Sequence, residues 1–426
     1  MNDTHSGAAL ADTLDSLETR EPEQREGELL ARLPGLVARA HSAPGWGRIL
    51  AGIDPRDIHS RKALAALPVT RKSDLKALQQ QERPFGGLNA TAVGQLRRVY
   101  MSPGPIFDPE GVGADWWRFS RPLYAAGVRP GGLLQNCFAY HFTPAAFMVE
   151  SGAAHLGCAV IPAGSGQTEQ QVQAVTMLRP DTYVGTPSFL KIIIEKARDM
   201  GADISCLKQA LVSAEALPES LRRWLVGHGV PSVLQAYASA DAGSMAYETS
   251  TDGVVHPGMV VDEDILLEIV RPGSGEPVAP GEVGEVVVTV FNPDYPLIRF
   301  GTGDLSAVLT DGGPSPCGRT NVRIRGWMGR ADQTTKVRAM FVHPAQVNEI
   351  ARRHPEILKA RLVVSGRVSN DVMTLHCEVD DPAAAYAPPI IETIRDLTKL
   401  RGEVQFAVRG SLPNDGKVID DVRDYS

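Results

Sequence analysis

Apolar residues recur at three-to-four spacing over 12–40 and over 61–81, where Leu and Ala mark one side of otherwise polar stretches. That spacing predicts helices. Between 130 and 235 the rhythm changes. Short apolar runs (GCAVIPAG, DTYVGTPS, QALVSAEALP, SVLQAYAS) read as strands. Longer segments (PAAFMVESGAAHLG, QTEQQVQAVTMLRP, SFLKIIIEKARDMG, PESLRRWLVGHG) read as helices between them. Strand and helix in alternation predict a parallel sheet with covering helices. After 255, DILLEIVRPG, GEVGEVVVTVF and LIRFGTGDLSAVL are strand-like and joined through Gly/Pro turns, which predicts a β-rich subdomain. From 331 a new unit starts, with a helix (PAQVNEIARRHPEI), two strands (KARLVVSG, VMTLHCEV), a helix (PIIETIRDLTKL), a strand (EVQFAV) and a Gly-rich tail. The predicted class is α/β: a large N-terminal α/β domain over 1–330 with a β-rich subdomain, then a small α+β domain over 331–426. Residues 1–10 are polar and expected to be disordered.

Composition narrows the function classes. A chain of 426 residues with 43% hydrophobic content is long enough for a large core and a second unit. A net charge of −7 argues against a nonspecific nucleic-acid binder, which needs a basic stripe. No apolar run approaches the roughly 18 residues of a membrane helix. The start of the chain lacks the charged-then-apolar layout of a secretory signal. Five cysteines, an odd number without CxxC spacing, fit reduced thiols, so a cytoplasmic location is expected.

Four local patterns can carry chemistry, each beside a bland alternative. In LIRFGTGDL, Asp304 at the tip of a turn can accept hydrogen bonds from two adjacent hydroxyls, as a ribose presents; an Asp in a Gly turn is also ordinary. In the 326–350 segment GWMGRADQTTKVRAMFVHPAQVNEI, Arg330 can fork onto a phosphate or ribose, or sit in a surface connection. In VLQAYASADAG a strand ends near Tyr237, which can stack on a flat base, and Asp241 can hold Mg²⁺ beside phosphates. A core tyrosine and a capping aspartate are equally open there. In GSLPNDGKVIDD, Lys417 can reach a reacting carboxylate or remain a solvated lysine.

Taken in order, YASAD, FGTGDL, GRADQ…KVRAMFVHP and a late GK resemble the motif series of the adenylate-forming ligases. LPVTRKSDL, the 152–197 stretch GAAHLGCAV…KIIIEKA, LVSAEALPESLRRWL, PSPCGRT and FVHPAQVNEI are similar to the phenylacetate–CoA ligase branch. The resemblance covers about residues 60–426. It implies ATP-dependent activation of a carboxylic acid through an acyl adenylate, with ATP, Mg²⁺ and coenzyme A as cofactor and co-substrates. By matched position it implies that Tyr237 stacks on adenine and that Glu215 lines its pocket. Asp241 takes the place of a Mg²⁺-binding Glu, Asp304 holds ribose, and Arg330 contacts ribose or phosphate. Asp332 becomes the hinge of a mobile C-terminal lid, and Lys417 polarises the carboxylate and α-phosphate. Ser102 and Gly104 fall in the phosphate loop. The acid pocket is placed at 136–148, with Phe138, Tyr140, His141, Phe142 and Phe147; aromatic walls with one polar tip suit a planar aryl or arylacetic acid.

Departures keep other readings open. Where the family has a Ser/Thr/Gly-rich loop with a Lys, residues 99–113 carry Pro103, Pro105 and Pro109, each without a backbone donor, and no Lys. Asp108 and Glu110 there would repel a polyphosphate unless a cation intervenes. Ala240 replaces a hydroxyl residue, and Asp241 is one methylene shorter than Glu. Cys317 is a lone survivor of a zinc site found in some relatives, with Val260 and Gly253 at other ligand positions, so no structural zinc is expected. An amine or carrier-protein acceptor, or a ligase fold that binds without turnover, stands beside the acid–thiol ligase. A homodimer is the commonest assembly for such an enzyme.

Overall fold

The computed structural model describes residues 12–423 except 103, 329, 332, 334, 339, 343, 368, 369 and 414–416. Residues 1–10 and Asp332 therefore lie outside the described residues. The chain divides into two compact units: residues up to Leu217 with Leu221–Met328, and Gly329 onward with Pro218–Ser220.

The larger unit is built on an eight-stranded sheet. Its order is Arg323–Ile324, Met259–Val261, Gly243–Tyr247, Ser232–Ser239, Gln209–Val212, Thr182–Gly185, Leu133–Asn136 and Ala159–Ile161. The last five strands are parallel and the others antiparallel. Strands Leu133–Asn136 and Thr182–Gly185 are neighbours although Ala159–Ile161 intervenes in sequence, so the winding reverses there. A reversal of this kind opens a crevice beyond the carboxyl ends of the strands. Helices cover the sheet as the periodicity predicts. Pro187–Asp199 starts at Thr186, whose side chain accepts from the Phe189 amide, and it buries Leu190, Ile193, Ile194 and Ala197 along one face.

A second sheet joins Thr70–Arg71, Leu297–Ser306, Gly284–Val290 and Ile265–Val270. Thr70–Arg71 runs parallel to the long strand, with Thr70 opposite Phe300 and Arg71 opposite Gly301. This corrects the expectation of continuous helix over 61–81. Only Arg61–Ala65 and Leu75–Gln81 are α-helical, because Pro68 halts the first and the Thr70–Arg71 backbone finds a sheet edge.

The N-terminal segment is fastened by buried charges. Glu18 accepts from the Tyr247 hydroxyl at 2.5 Å and from Arg319 Nε at 3.1 Å, and Arg25 Nε meets Glu263 at 2.6 Å. Asp262, in the same region, is fully buried. Its Oδ1 takes the Asp264 amide at 3.1 Å and lies 3.3 Å from Arg118 Nε, while Oδ2 has no hydrogen-bond partner. Burial raises its pKa from 3.8 to about 7, against the pull of Arg118 and Arg121. A carboxyl whose folded pKa exceeds its unfolded value binds more protons when folded. The stability it contributes is therefore complete below about pH 4 and is lost as pH rises through 7. Asp262→Asn should gain on the wild type by about 2–4 kcal/mol in urea unfolding between about pH 5 and about pH 8. A pH-independent difference between the two proteins would show that Arg118 and Arg121 keep the group ionised.

The smaller unit has a sheet ordered Glu403–Val408, Asn370–Val379, Lys359–Arg367 and Ile419–Asp421, with helices Pro344–Arg353 and Pro388–Thr398. Val347, Ile350, Leu362, Leu375, Ile390 and Ile394 form its own core. A large α/β unit with a β-rich sheet and a small α+β unit is the class the hydrophobic pattern predicts.

Candidate functional site

The strand Ser232–Ser239 carries Tyr237 and turns back at 240–242 into Gly243–Tyr247. Gly243 has φ 71°, and a Cβ there would lie 2.7 Å from the Trp117 carbonyl, so the tight return requires glycine. From the other sheet, Leu297–Ser306 delivers Asp304. The expected turn tip is instead a bulge within this ten-residue strand, where the register against Gly284–Val290 slips and Gly303 takes φ 75°. An irregularity of this kind re-aims side chains. Asp304 Oδ2 accepts from the Tyr237 hydroxyl at 2.9 Å, Oδ1 from Trp327 Nε1 at 3.1 Å, and its amide donates to Thr302 Oγ1 at 3.1 Å.

Glu215 sits in the loop after Gln209–Val212 and accepts from Ser188 Oγ at 2.6 Å. Ser188 is in the first turn of helix Pro187–Asp199, whose amide dipoles favour a carboxylate.

Asp241 is turned inward. Its side chain is fully buried, and Oδ2 lies 2.5 Å from Lys72 Nζ, whose side chain keeps 25% exposure. Lys72 follows Thr70–Arg71, and the parallel pairing places it beside Thr302–Asp304. Burial alone would lower the lysine, but the Asp241 and Asp108 carboxylates outweigh it and hold its pKa above the usual value.

The 99–113 stretch is a β-hairpin, Arg98–Ser102 paired with Ile106–Glu110. Ser102 is buried, its hydroxyl 3.3 Å from the Ile106 carbonyl, and Gly104 lies in the connection with φ 150°. Strand alternation sets Asp108 and Glu110 on one face, both buried, while Phe107 faces out. The acids therefore do not project into solvent as an exposed loop would present them. Glu110 accepts from the Tyr100 hydroxyl and from Arg98 Nη1 at 3.0 Å. Neither oxygen of Asp108 has a hydrogen-bond partner, and burial, then the Asp241 charge, raises its pKa well above the carboxylate range. Unpartnered oxygens on Asp108 and Asp241 are the donor type a hard cation such as Mg²⁺ takes. Among the described residues no group of three or more His, Cys, Asp or Glu could hold a metal.

The aromatic segment is split. Phe138 is buried after strand Leu133–Asn136, at the reversal point. Tyr140, half-buried, donates to Glu150 Oε1 at 2.8 Å and packs edge-on to Phe147, with ring centroids 5.4 Å apart. His141 is exposed and Phe142 is 70% exposed with φ 62°. A surface groove of about 660 Å³ beside Thr168, Ile192 and Lys196 includes none of these residues.

In the smaller unit Arg330 is half-buried. Lys417 is exposed, with Nζ 3.1 Å from Asp420 Oδ1; Asp420 also takes Arg361 Nη2 at 2.6 Å.

Tyr237, Asp304 and Asp241 thus come together, joined by Lys72, Trp327 and Asp108. Lys72 and Trp327 were not legible as site residues. A lysine gives no signal until the short strand before it is seen to pair with one some 230 residues later.

An AMP-binding enzyme model matches residues 133–290. The chain is 31% identical over 381 residues to a phenylacetate–coenzyme A ligase of Thermus thermophilus, covering 86% of this chain and 84% of that protein. It is 29% identical over 354 residues to the Escherichia coli enzyme of the same name, covering 79% and 78%. A solved 2-hydroxyisobutyryl-CoA ligase, in complex with 2-HIB-AMP and CoA in the thioesterification state, superimposes with a TM-score of 0.79 at 22% identity. That match covers 100% of this chain and 95% of the other.

Proposed function

The chain belongs to the AMP-binding, adenylate-forming ligases, in the phenylacetate–coenzyme A ligase branch, and we propose that it activates an aryl or arylacetic acid. In the first half-reaction the acid's carboxylate attacks the α-phosphorus of ATP, giving the acyl adenylate and pyrophosphate. In the second, the coenzyme A thiol takes the acyl group, AMP leaves and a proton is released.

The observation that carries this reading is Asp304 placed between Tyr237, which donates to Oδ2, and Trp327, which donates to Oδ1. A carboxylate so fixed is ready for the vicinal hydroxyls of a ribose, and the Tyr237 ring beside it offers a face to adenine. Glu215, Arg330, Ser102 and Gly104 complete the nucleotide-binding set in this proposal. Asp241, with Asp108, suits Mg²⁺, which neutralises polyphosphate charge when bound. Lys417 supplies the ammonium for adenylation. Asp332 is the proposed hinge of a mobile C-terminal lid. Phe138, Tyr140 and Phe147 favour a planar acid, with His141 and Phe142 at the solvent end.

The hairpin with inward carboxylates at 98–110 favours a second reading, a ligase fold that binds acid or nucleotide without turnover. Pyrophosphate release over a panel of aryl, arylacetic and short aliphatic acids separates the two. Release with aryl acids that exceeds release with aliphatic ones is expected. No release with any acid, while ATP still binds in calorimetry, supports the second reading. Replacing coenzyme A by amines in the same assay tests the acceptor. Among the described residues no helix is long and apolar enough to cross a membrane.

A further inference from the structure

Three side chains that meet behind Lys72 leave polar atoms unmatched. Both carboxylate oxygens of Asp108, Oδ1 of Asp241 and the Tyr295 hydroxyl have no hydrogen-bond partner, and all three residues are more than nine-tenths buried. Tyr295 lies close enough to feel both carboxylates. Buried polar groups are normally satisfied, and orphaned oxygens within electrostatic reach of one another mark a place for an ion or water. Burial and the neighbouring Asp241 charge favour the protonated form of Asp108, which leaves the ammonium of Lys72 to match the charge on Asp241.

A divalent ion would balance both carboxylates, but it needs the Asp241 oxygen that Lys72 occupies at 2.5 Å. Lys72 has a way out. Its side chain is one-quarter exposed where Asp241 is sealed, its four-carbon stem is flexible, and the Asp304 charge also acts on it. Ion in and lysine out is therefore as well balanced as lysine in.

Resting on the adenylating function above, we propose that Asp108 and Asp241 form a two-carboxylate site for the divalent cation that accompanies the nucleotide, and that Lys72 is its displaceable plug. The ion takes the place of the ammonium on Asp241, and the freed ammonium turns outward to the phosphates. Two protein carboxylates, with substrate phosphates and water in the remaining positions, is a donor set Mg²⁺ commonly accepts. Lys72 then supplies the cation that the 99–113 segment lacks.

The test uses Mn²⁺ alone as the probe, with the full chain and no nucleotide, reading free Mn²⁺ by electron paramagnetic resonance. The wild type is expected to bind the ion. Asp108→Asn should weaken binding by at least about tenfold, the loss of one charged ligand. Lys72→Met should tighten it by about tenfold, because the competing cation is gone. A lysine serving only structure predicts no tightening. If Lys72→Met folds poorly, Lys72→Gln replaces it. In either variant Mn²⁺ should raise the melting temperature by more than it does in the wild type. Absence of Mn²⁺ binding to the wild type and both lysine variants overturns the proposal, as does wild-type affinity in Asp108→Asn. ATP calorimetry on the same samples in Mg²⁺ separates the failures. ATP bound without a Mn²⁺ site ends this inference and leaves the ligase reading standing; no ATP bound ends both.

Discussion

Lys417→Ala should slow pyrophosphate release by about 10²–10³-fold, the usual loss when one preorganised charged donor is removed from developing charge. Its melting temperature should stay close to that of the wild type. Lys417 is exposed, and its pair with Asp420 is a surface contact; such pairs contribute little, and Asp420 keeps Arg361. The variant should also transfer the acyl group to coenzyme A at a near-normal rate when given the acyl adenylate ready-made, since the lysine acts on the carboxylate and α-phosphate only before that compound exists. An unchanged rate of pyrophosphate release, or equal loss in both half-reactions, would remove Lys417 from the chemistry.

Asp304→Ala is expected to weaken ATP and AMP binding by about 30–1,000-fold, corresponding to two hydrogen bonds between ribose hydroxyls and a charged acceptor at about 1–2 kcal/mol each. AMP is the cleaner ligand because it carries no polyphosphate and reports the ribose and base contacts directly. The loss also removes the acceptor of Tyr237 at 2.9 Å and Trp327 at 3.1 Å. Asp304→Asn keeps the shape but offers one oxygen in place of two, so it should fall between the alanine variant and the wild type. Calorimetry measures all three. AMP affinity unaltered in the alanine variant would show that this carboxylate is a brace for Tyr237 and Trp327 and not a nucleotide contact.

The two substitutions test residues that local sequence marks while leaving their surroundings open. Asp304 was marked by its flanking glycines, but its geometry was misplaced: a Gly-Thr-Gly-Asp run reads as a turn, and only pairing with Gly284–Val290 shows that the run is a bulge inside one strand. Lys417 was marked by its Gly-rich context near the end of the chain. Its ion pair with Asp420, which also takes Arg361, depends on the parallel pairing of Ile419–Asp421 with Lys359–Arg367. Asp108 shows the opposite case. As a residue in a Pro-rich stretch it promised exposed negative charge. The hairpin turned it inward by strand alternation, against Asp241 and Lys72.

Along the chain, hydrophobic period and Gly/Pro punctuation determined the class of each unit, the parallel sheet and the small α+β unit, because those signals are local and survive in any window of a dozen residues. The ordered series YASAD, FGTGDL and GRADQ determined the family for the same reason. Tertiary structure decided which charges meet. Lys72, Asp108, Asp241 and Asp304 come from four separate stretches and three sheets, and their partnership follows from strand register and burial. Register couples residues more than two hundred positions apart, and burial decides whether a charge needs a partner; neither is written in the neighbourhood of any one of them.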